Sequence, residues 1–164
     1  MVLTGLKIKE EIISGAISIE PFCENQLNPN SYNYRLGSTL KVFAGFDGHR
    51  AVFKEIEIPK NGYVLNPGAM YLANTLEMIG SKKYAMSLIG RSSMGRYGLF
   101  LQTSANLGHT AREHRWTLEM VAALPIRIYP GMIIGQVSFW KNYGKVNPYN
   151  GRYGFINCPQ ESFI

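Results

Sequence analysis

The feature that most constrains this chain of 164 residues is the shortness of its apolar segments. Each spans three to eight residues and is bounded by glycine, proline or asparagine, as at 59–62 and 66–68. Many short segments with frequent turn residues are typical of an antiparallel β-barrel or a jelly-roll-like sandwich. The predicted strands are 39–46, 51–58, 63–65, 69–76, 84–89, 99–104, 116–122, 124–129 and 133–140.

One helix is predicted, at residues 4–15. Thr4 can cap its start and Gly15 can end it. The residues expected on its apolar face are Leu6, Ile12 and Ile13.

Charge and composition exclude two classes of protein. Hydrophobic residues make up 46% of the chain and charged residues 17%, which excludes a disordered protein. The formal charge is +6, but the sequence has no run of basic residues, so nucleic-acid binding is not predicted. A positive pocket for a small polyanion accounts for the same excess of positive charge.

The sequence predicts a cytoplasmic protein with no membrane partner. The amino-terminal region is interrupted by Lys7, Lys9 and Glu10, unlike a signal peptide, and no apolar run reaches the length of a membrane span. Cys23 and Cys158 are expected to be reduced thiols.

A zinc site is not predicted. The two cysteines lie far apart, and His109 and His114 have neither the usual ligand spacing nor an evident third ligand. We therefore expect no metal bound by protein side chains.

Residues 89–99 follow a predicted strand and hold two arginines, two serines and three glycines. Glycines allow close approach of the backbone, while hydroxyls and guanidinium groups bind phosphate oxygens. The segment suits an anion, although an exposed Gly/Ser turn would have the same composition. It matches neither the Walker pattern nor the dinucleotide fingerprint.

Glu119 lies among apolar residues in the predicted strand 116–122. A carboxylate in such surroundings can exchange protons during a reaction. A strand residue that faces solvent is the alternative.

The chain changes character at Lys141. Residues 1–140 form the predicted β domain, and 141–164 mix glycine and proline with Tyr143, Tyr149 and Tyr153. Either a lid over a ligand or a tail packed on a neighbouring surface fits this composition.

Taken together, four stretches resemble the deoxycytidine triphosphate deaminase family, which is related to the trimeric deoxyuridine triphosphatases. They are residues 26–37, 90–99, 117–119 and 127–139, and a segment at 148–153 is similar to the end of the family's chains. The resemblance implies a distorted antiparallel β-barrel or jelly-roll protomer, a homotrimer with sites at subunit interfaces, and cytosine nucleotide deamination without zinc.

The resemblance also implies roles for individual residues. Glu119 would shuttle protons, with Ser92 and Arg96 beside it as catalytic residues. Arg91 and Ser93 would bind the phosphates, which carry Mg²⁺. Further nucleotide contacts are implied for His109, Thr117, Leu118, Tyr149, Arg152 and Tyr153.

The chain departs from the family at residues 108–114, where the family has an I-D-P-G-W-x-G-like hairpin and this sequence has GHTAREH. The two segments have the same length, so the hairpin is expected to persist with different chemistry. His109 replaces the aspartate that the triphosphatases use near the phosphates, so pyrophosphate hydrolysis is not expected. Deoxycytidine triphosphate (dCTP), a ribonucleotide, a monophosphate or a modified cytosine all remain possible substrates. A nucleotide pyrophosphatase acting on dUTP and a noncatalytic nucleotide sensor are the alternative functions.

Overall fold

The computed structural model describes residues 1–163 and is built mainly from antiparallel β-strands. Its α-helices are α1 (Gly5–Ile13) and the short α2 (Ser92–Arg96), and two 3-10 helices lie at Glu24–Gln26 and Arg152–Phe155. The bounds of its strands follow in chain order. They are β1 (Ile17–Glu20), β2 (Leu27–Asn28), β3 (Ser31–Phe46), β4 (Ala51–Glu57), β5 (Tyr63–Leu65), β6 (Met70–Thr75), β7 (Met78–Ser81), β8 (Tyr84–Gly90), β9 (Leu99–Leu101), β10 (Leu107–Gly108), β11 (Arg112–His114), β12 (Thr117–Ala122), β13 (Ile126–Ile128) and β14 (Ile133–Lys141).

A nine-stranded antiparallel sheet forms most of the fold. Its central path runs β10-β8-β14-β3-β6-β12-β9, while β2 and β4 pair with β3. Strand β3 pairs with β14 through its first half and with β4 and β6 through its second half, so the sheet curls around the core. This confirms the predicted mainly β architecture with a short amino-terminal helix.

Two smaller sheets complete the fold. Strands β1, β7 and β11 form one, with β7 in the middle, and β5 pairs with β13 in the other. In the part of the chain described, no helix has the length and apolar character needed to cross a bilayer.

All nine predicted strands are present, and helix α1 begins where the sequence predicted. The Thr4 side chain accepts a hydrogen bond from the Lys7 amide at 3.3 Å, and Gly15 ends the helix with a φ of 73°. The predicted apolar face was wrong for Leu6 and Ile13, which are exposed, whereas Ile12 is partly buried against the core. The helix instead packs through Gly5, Ile8 and Glu11.

The first resembling stretch supports the fold through a buried ion pair. Glu77 is fully buried, and its carboxylate accepts hydrogen bonds from the Arg35 amide at 2.8 Å and from Arg35 Nε at 2.7 Å. Gln26 Nε2 donates to the same carboxylate and to the carbonyl of Asn33. A buried charge needs such partners, which explains the polar residues in this stretch.

The last resembling stretch contains a glycine that the packing requires. A Cβ atom at Gly135 would lie 2.1 Å from the ring of Tyr34. Tyr34 is fully buried and donates from its hydroxyl to the carbonyl of Ile89. Gly135 thus lets β14 pass closely over a core tyrosine next to the segment that leads into α2.

Candidate active site

Glu119 lies in β12, where buried and half-buried residues alternate. Leu118, Met120 and Ala122 are fully buried in the core, whereas Thr117 and Glu119 face the other side of the strand. This alternation is the period-two pattern of a sheet with one face on the core.

A cavity of about 660 Å³ opens over this second face of β12. Its volume is in the range typical of small-molecule sites. Four of the residues proposed from the resemblance line it, together with Trp116, His114 and residues of the carboxy-terminal segment. Those four are His109, Thr117, Glu119 and Tyr153.

Gln102 fixes the backbone on which Glu119 stands. Its side-chain oxygen accepts a hydrogen bond from the backbone amide of Glu119 at 2.7 Å, and the backbone amide of Gln102 donates to the backbone carbonyl of Glu119 at 3.1 Å. Gln102 has a φ of 52°, which ends β9 three residues before the predicted end of this strand at position 104. The side-chain oxygen of Gln102 therefore accepts from the Glu119 amide in place of a backbone carbonyl of a longer β9.

The predicted anion-binding segment 89–99 lies apart from this cavity in the same protomer. It forms the end of β8, helix α2 and the start of β9. Ser92, Ser93 and Arg96 are exposed and Arg91 is half-buried. Within residues 1–163 the side chains of these four residues make no hydrogen bond or ion pair.

The geometry of β9 explains this separation. The carbonyl of Gly98, just beyond α2, accepts from the amide of Ala123 at the far end of β12. Gln102, beside Glu119, is four residues further along the chain, ~13 Å at the rise of an extended strand. Arg96 and Glu119 are therefore not neighbours within one protomer.

The segment 108–114 is not a hairpin, so the expectation that the hairpin persists was wrong. Strand β10 pairs with β8, whereas β11 pairs with β7 in another sheet. The connection turns at Ala111, whose φ of 67° lies in the left-handed region. A chain that moves between two sheets at this point cannot pair with itself.

An aromatic cluster lines one end of the cavity. The rings of His109 and Tyr149 stack with centroids 3.7 Å apart, and the ring of His114 lies 4.1 Å from that of Trp116. Burial lowers the pKa of His109, and the nearby His114 lowers it further. The pKa of His114 is also lowered by burial. Both rings are thus neutral near pH 7.

The carboxy-terminal segment is bound to 108–114 by several contacts. Arg112 donates through Nε to the carbonyl of Tyr149 and through Nη2 to the side chain of Asn150 at 2.6 Å. Its guanidinium group also lies 4.4 Å from the ring of Phe155. The Tyr149 amide donates to the carbonyl of Thr110 at 3.4 Å.

The same segment continues past the cavity towards β3. The amide of Gln160 donates to the hydroxyl of Thr117 at 3.3 Å, and Lys41 forms a 2.6 Å ion pair with Glu161. Arg152 lies over the ring of Phe163 and Tyr153 faces the cavity. The segment therefore closes one side of the cavity within the same chain.

One residue proposed from the resemblance cannot contact a nucleotide through its side chain. Leu118 is fully buried, so only its backbone can reach a nucleotide.

Sequence reasoning missed Gln102, and it noted Arg112 and His114 only as departures from the family. The sequence around Gln102 does not indicate that this residue bonds to the backbone of Glu119, because the bond depends on the left-handed conformation of Gln102 itself.

Metal ligands are not grouped in the described part of the chain. Over residues 1–163 no three His, Cys, Asp or Glu side chains come close enough together to hold an ion. Cys23 and Cys158 are free thiols.

Comparison with known proteins shows which proteins this chain is similar to. A family model described as dCTP deaminase-like matches residues 2–142. A protein of Hathewaya histolytica named "dCTP deaminase, dUMP-forming" is 41% identical, covering 93% of this chain and 91% of that protein. A protein of Cytophaga hutchinsonii with the same name is 39% identical, covering 100% of this chain and 96% of its own length.

A solved structure shows the same fold. The 2'-deoxycytidine 5'-triphosphate deaminase from Agrobacterium tumefaciens matches with a TM-score of 0.70 and 22% sequence identity over 89% of this chain. The matched region is 50% of that protein, so this chain spans about half its length. With the family model and the relatives above, this places the chain in the dCTP deaminase-like family.

Proposed function

We propose that the protein deaminates dCTP by hydrolysis, without zinc. In this reaction one water adds through its oxygen to C4 of the cytosine, the C4–N bond breaks, and the products are dUTP and ammonia. The observation that carries the proposal is the position of Glu119, a half-buried carboxylate in a cavity of about 660 Å³. The names of the relatives support the choice of substrate.

Glu119 can shuttle the protons that the reaction moves. Its carboxylate takes a proton from the attacking water and returns one to the leaving amine, while the second proton of the water ends on N3 of the uracil, so the carboxylate ends in its starting state. Gln102 holds the backbone of Glu119 on both its amide and its carbonyl, which limits movement of the carboxylate.

A second copy of the chain would complete the site. Helix α2 is exposed and distant from Glu119 in its own protomer, which leaves Ser92 and Arg96 free to approach Glu119 of a neighbour. Arg91 and Ser93 would then bind the triphosphate with its Mg²⁺ by charge-assisted hydrogen bonds. We therefore propose a homotrimer with sites between subunits.

The carboxy-terminal segment would act as the lid. Tyr153 lines the cavity, Tyr149 stacks on His109 of its wall, and Arg152 is exposed next to Tyr153. The free thiols of Cys23 and Cys158 are in line with a cytoplasmic location.

The names of the relatives favour a second hydrolysis, because dCTP with two waters gives dUMP, pyrophosphate and ammonia. That step needs a second activated water at the phosphates. At position 109 this chain has a histidine whose ring stacks on Tyr149. We propose deamination as the activity of this chain, and the product tells the two reactions apart.

The test is ammonia release and product identity from dCTP, CTP, dCMP, CMP, their 5-hydroxymethyl forms and dUTP, with Mg²⁺ and a zinc chelator. The expected result is dUTP and ammonia from dCTP in equal amounts, unaffected by the chelator. Formation of dUMP and pyrophosphate would establish the second hydrolysis. Tight binding of dCTP without any turnover would instead support the nucleotide sensor.

A further inference from the structure

Lys41 and Glu161 form an ion pair that is largely shielded from water. Lys41 Nζ lies 2.6 Å from Glu161 Oε2, and the two side chains are 14% and 31% exposed. Among the ion pairs in residues 1–163, only this one and Arg35–Glu77 have both side chains less than a third exposed. An exposed ion pair contributes little to stability, whereas breaking a shielded one leaves a charge without a partner.

The pair lies beside the candidate active site. Lys41 in β3 pairs with Leu72 in β6, and Leu72 pairs with Glu119 in β12. Directly paired residues of antiparallel strands point to the same face of a sheet, so the three side chains form a row. The Cα atoms of Lys41 and Glu119 are then about 10 Å apart, which is two strand spacings. Leu72, Glu119 and Glu161 all line the cavity of about 660 Å³.

The carboxy-terminal segment is fixed next to the cavity at this point. Among the described residues, Glu161 provides the one ion pair that joins this segment to the β domain. On one side of Glu161, the amide of Gln160 donates to the Thr117 hydroxyl at 3.3 Å. On the other side, the amide of Phe163 donates to the Tyr153 hydroxyl at 3.2 Å, and these two rings lie 5.0 Å apart. Holding Glu161 therefore also holds Tyr153, which lines the cavity.

We propose that Lys41 is a positioning residue for dCTP deamination, an assignment that rests on the function proposed above. Through its ion pair with Glu161, Lys41 holds the carboxy-terminal segment as a wall of the cavity beside Glu119. A closed wall limits the entry of water and the movement of a bound nucleotide, so its loss weakens substrate binding. The bonds between Gln102 and the backbone of Glu119 do not involve the segment, so the chemical step is retained when the segment moves.

Substitutions that remove one charge and keep the length of the side chain test this in the full chain. Lys41→Met and Glu161→Gln should each raise KM for dCTP by at least about fivefold, with kcat changed less than about twofold. The double variant should lose no more than the weaker single variant, because both substitutions remove the same interaction. Lys41→Arg keeps the charge and should retain most of the wild-type affinity. Lys9→Met and Glu24→Gln, in an exposed ion pair, should leave KM unchanged.

Hydrogen exchange reports the position of the segment without any substrate. The amides of Gln160 and Phe163 are hydrogen-bonded, so peptides covering 156–163 should exchange several-fold faster in Lys41→Met and Glu161→Gln than in the wild-type protein. Strand β12 should keep its wild-type exchange, which shows that the variants are folded. If Lys41→Met does not fold, Glu161→Gln, in the segment itself, is sufficient for the test.

Three results would overturn the assignment. Wild-type exchange in both single variants would show that the ion pair does not hold the segment, and losses of affinity that add in the double variant would show that Lys41 and Glu161 act independently. A Lys41→Arg variant as impaired as Lys41→Met would mean that the charge is not the cause. The exchange experiment needs no turnover, so failure of the wild-type protein to release ammonia from dCTP contradicts the deaminase proposal separately.

Discussion

Helix α2 and the segment 108–114 are both polar and both lie near the sheet that carries Glu119, yet their side chains are used differently. Those of α2 are largely exposed and make no polar contact within the described chain, whereas Arg112 and His109 contact the carboxy-terminal segment. By the sequence resemblance, the residues of α2 match the family's motif and those of 108–114 depart from it. The side chains of α2 are thus free to bind another molecule, while those of 108–114 bind the carboxy-terminal segment, the proposed lid.

This difference changes how the departures are understood. Arg112 stands where the family has an aromatic residue, and it bonds to Tyr149 and Asn150. The changes in 108–114 therefore form one unit with the carboxy-terminal segment and need not alter the chemistry at Glu119.

The largest expected effect is on catalysis at Glu119. Glu119→Gln removes the proton shuttle but keeps the size of the side chain, so deamination should fall by at least about 10²-fold while nucleotide binding changes only a few-fold. Rates of ammonia release and dissociation constants measure the two effects. Glu113→Gln, the same change at an exposed position of β11, should retain activity. Equal turnover in Glu119→Gln would remove this residue from the mechanism.

The next effect is on the lid. Arg112→Ala removes two hydrogen bonds and the contact with Phe155, together about 1–3 kcal/mol of lid binding. Trypsin should then cut after Lys145 and Arg152 faster than in the wild-type protein. Arg127→Ala, which loses one exposed bond to Asn61, should leave this cleavage unchanged. Unchanged cleavage in Arg112→Ala would show that the lid is held by other contacts.

Acid should weaken the same unit. The pKa of His109 is below its usual value of 6.5 in the folded protein, so the unfolded chain binds more protons as the pH falls. The stabilisation is complete above pH 6.5 and is lost as the pH falls below it. Thermal melting between pH 7.5 and 5.5 should show a smaller loss of stability in His109→Gln than in the wild-type protein. The exposed His49→Gln should keep the wild-type slope.

The smallest effect concerns the turn at Ala111. Its φ of 67° costs a residue with a Cβ atom roughly 1–2 kcal/mol, which glycine avoids at the expense of a more flexible unfolded chain. Ala111→Gly should therefore raise the free energy of unfolding by about 0.5–1 kcal/mol in urea titrations. Ala85→Gly in β8 should lower it instead. Destabilisation by Ala111→Gly would show that the methyl group makes a favourable contact.

The strands could be predicted from the sequence because each has a local pattern. Leu118, Met120 and Ala122 alternate with more exposed residues, and this period is visible without any tertiary information. The end of β9 could not be predicted, since it depends on the left-handed backbone of Gln102 and on bonds to Glu119. The buried face of α1 was also missed, because burial of Glu11 depends on ion pairs with Lys7 and Lys83.

The candidate site could be predicted only in part. The resemblance proposed Glu119 and the residues of α2 as site residues, but the sequence does not show that they are far apart in one protomer. It also could not show that β10 and β11 join different sheets, because their partners β8 and β7 are distant in sequence.

The central claim is that Glu119 of one chain acts with α2 of another, and mixing of two inactive variants tests it most directly. Glu119→Gln and Arg96→Ala would be coexpressed with different tags, and the mixed oligomers would be isolated and assayed for ammonia release from dCTP. Every mixed trimer has one intact site out of three, so the isolated mixed oligomers should recover about a third of the wild-type rate. Mixed oligomers that form but remain as inactive as the two parents would contradict a site shared between subunits.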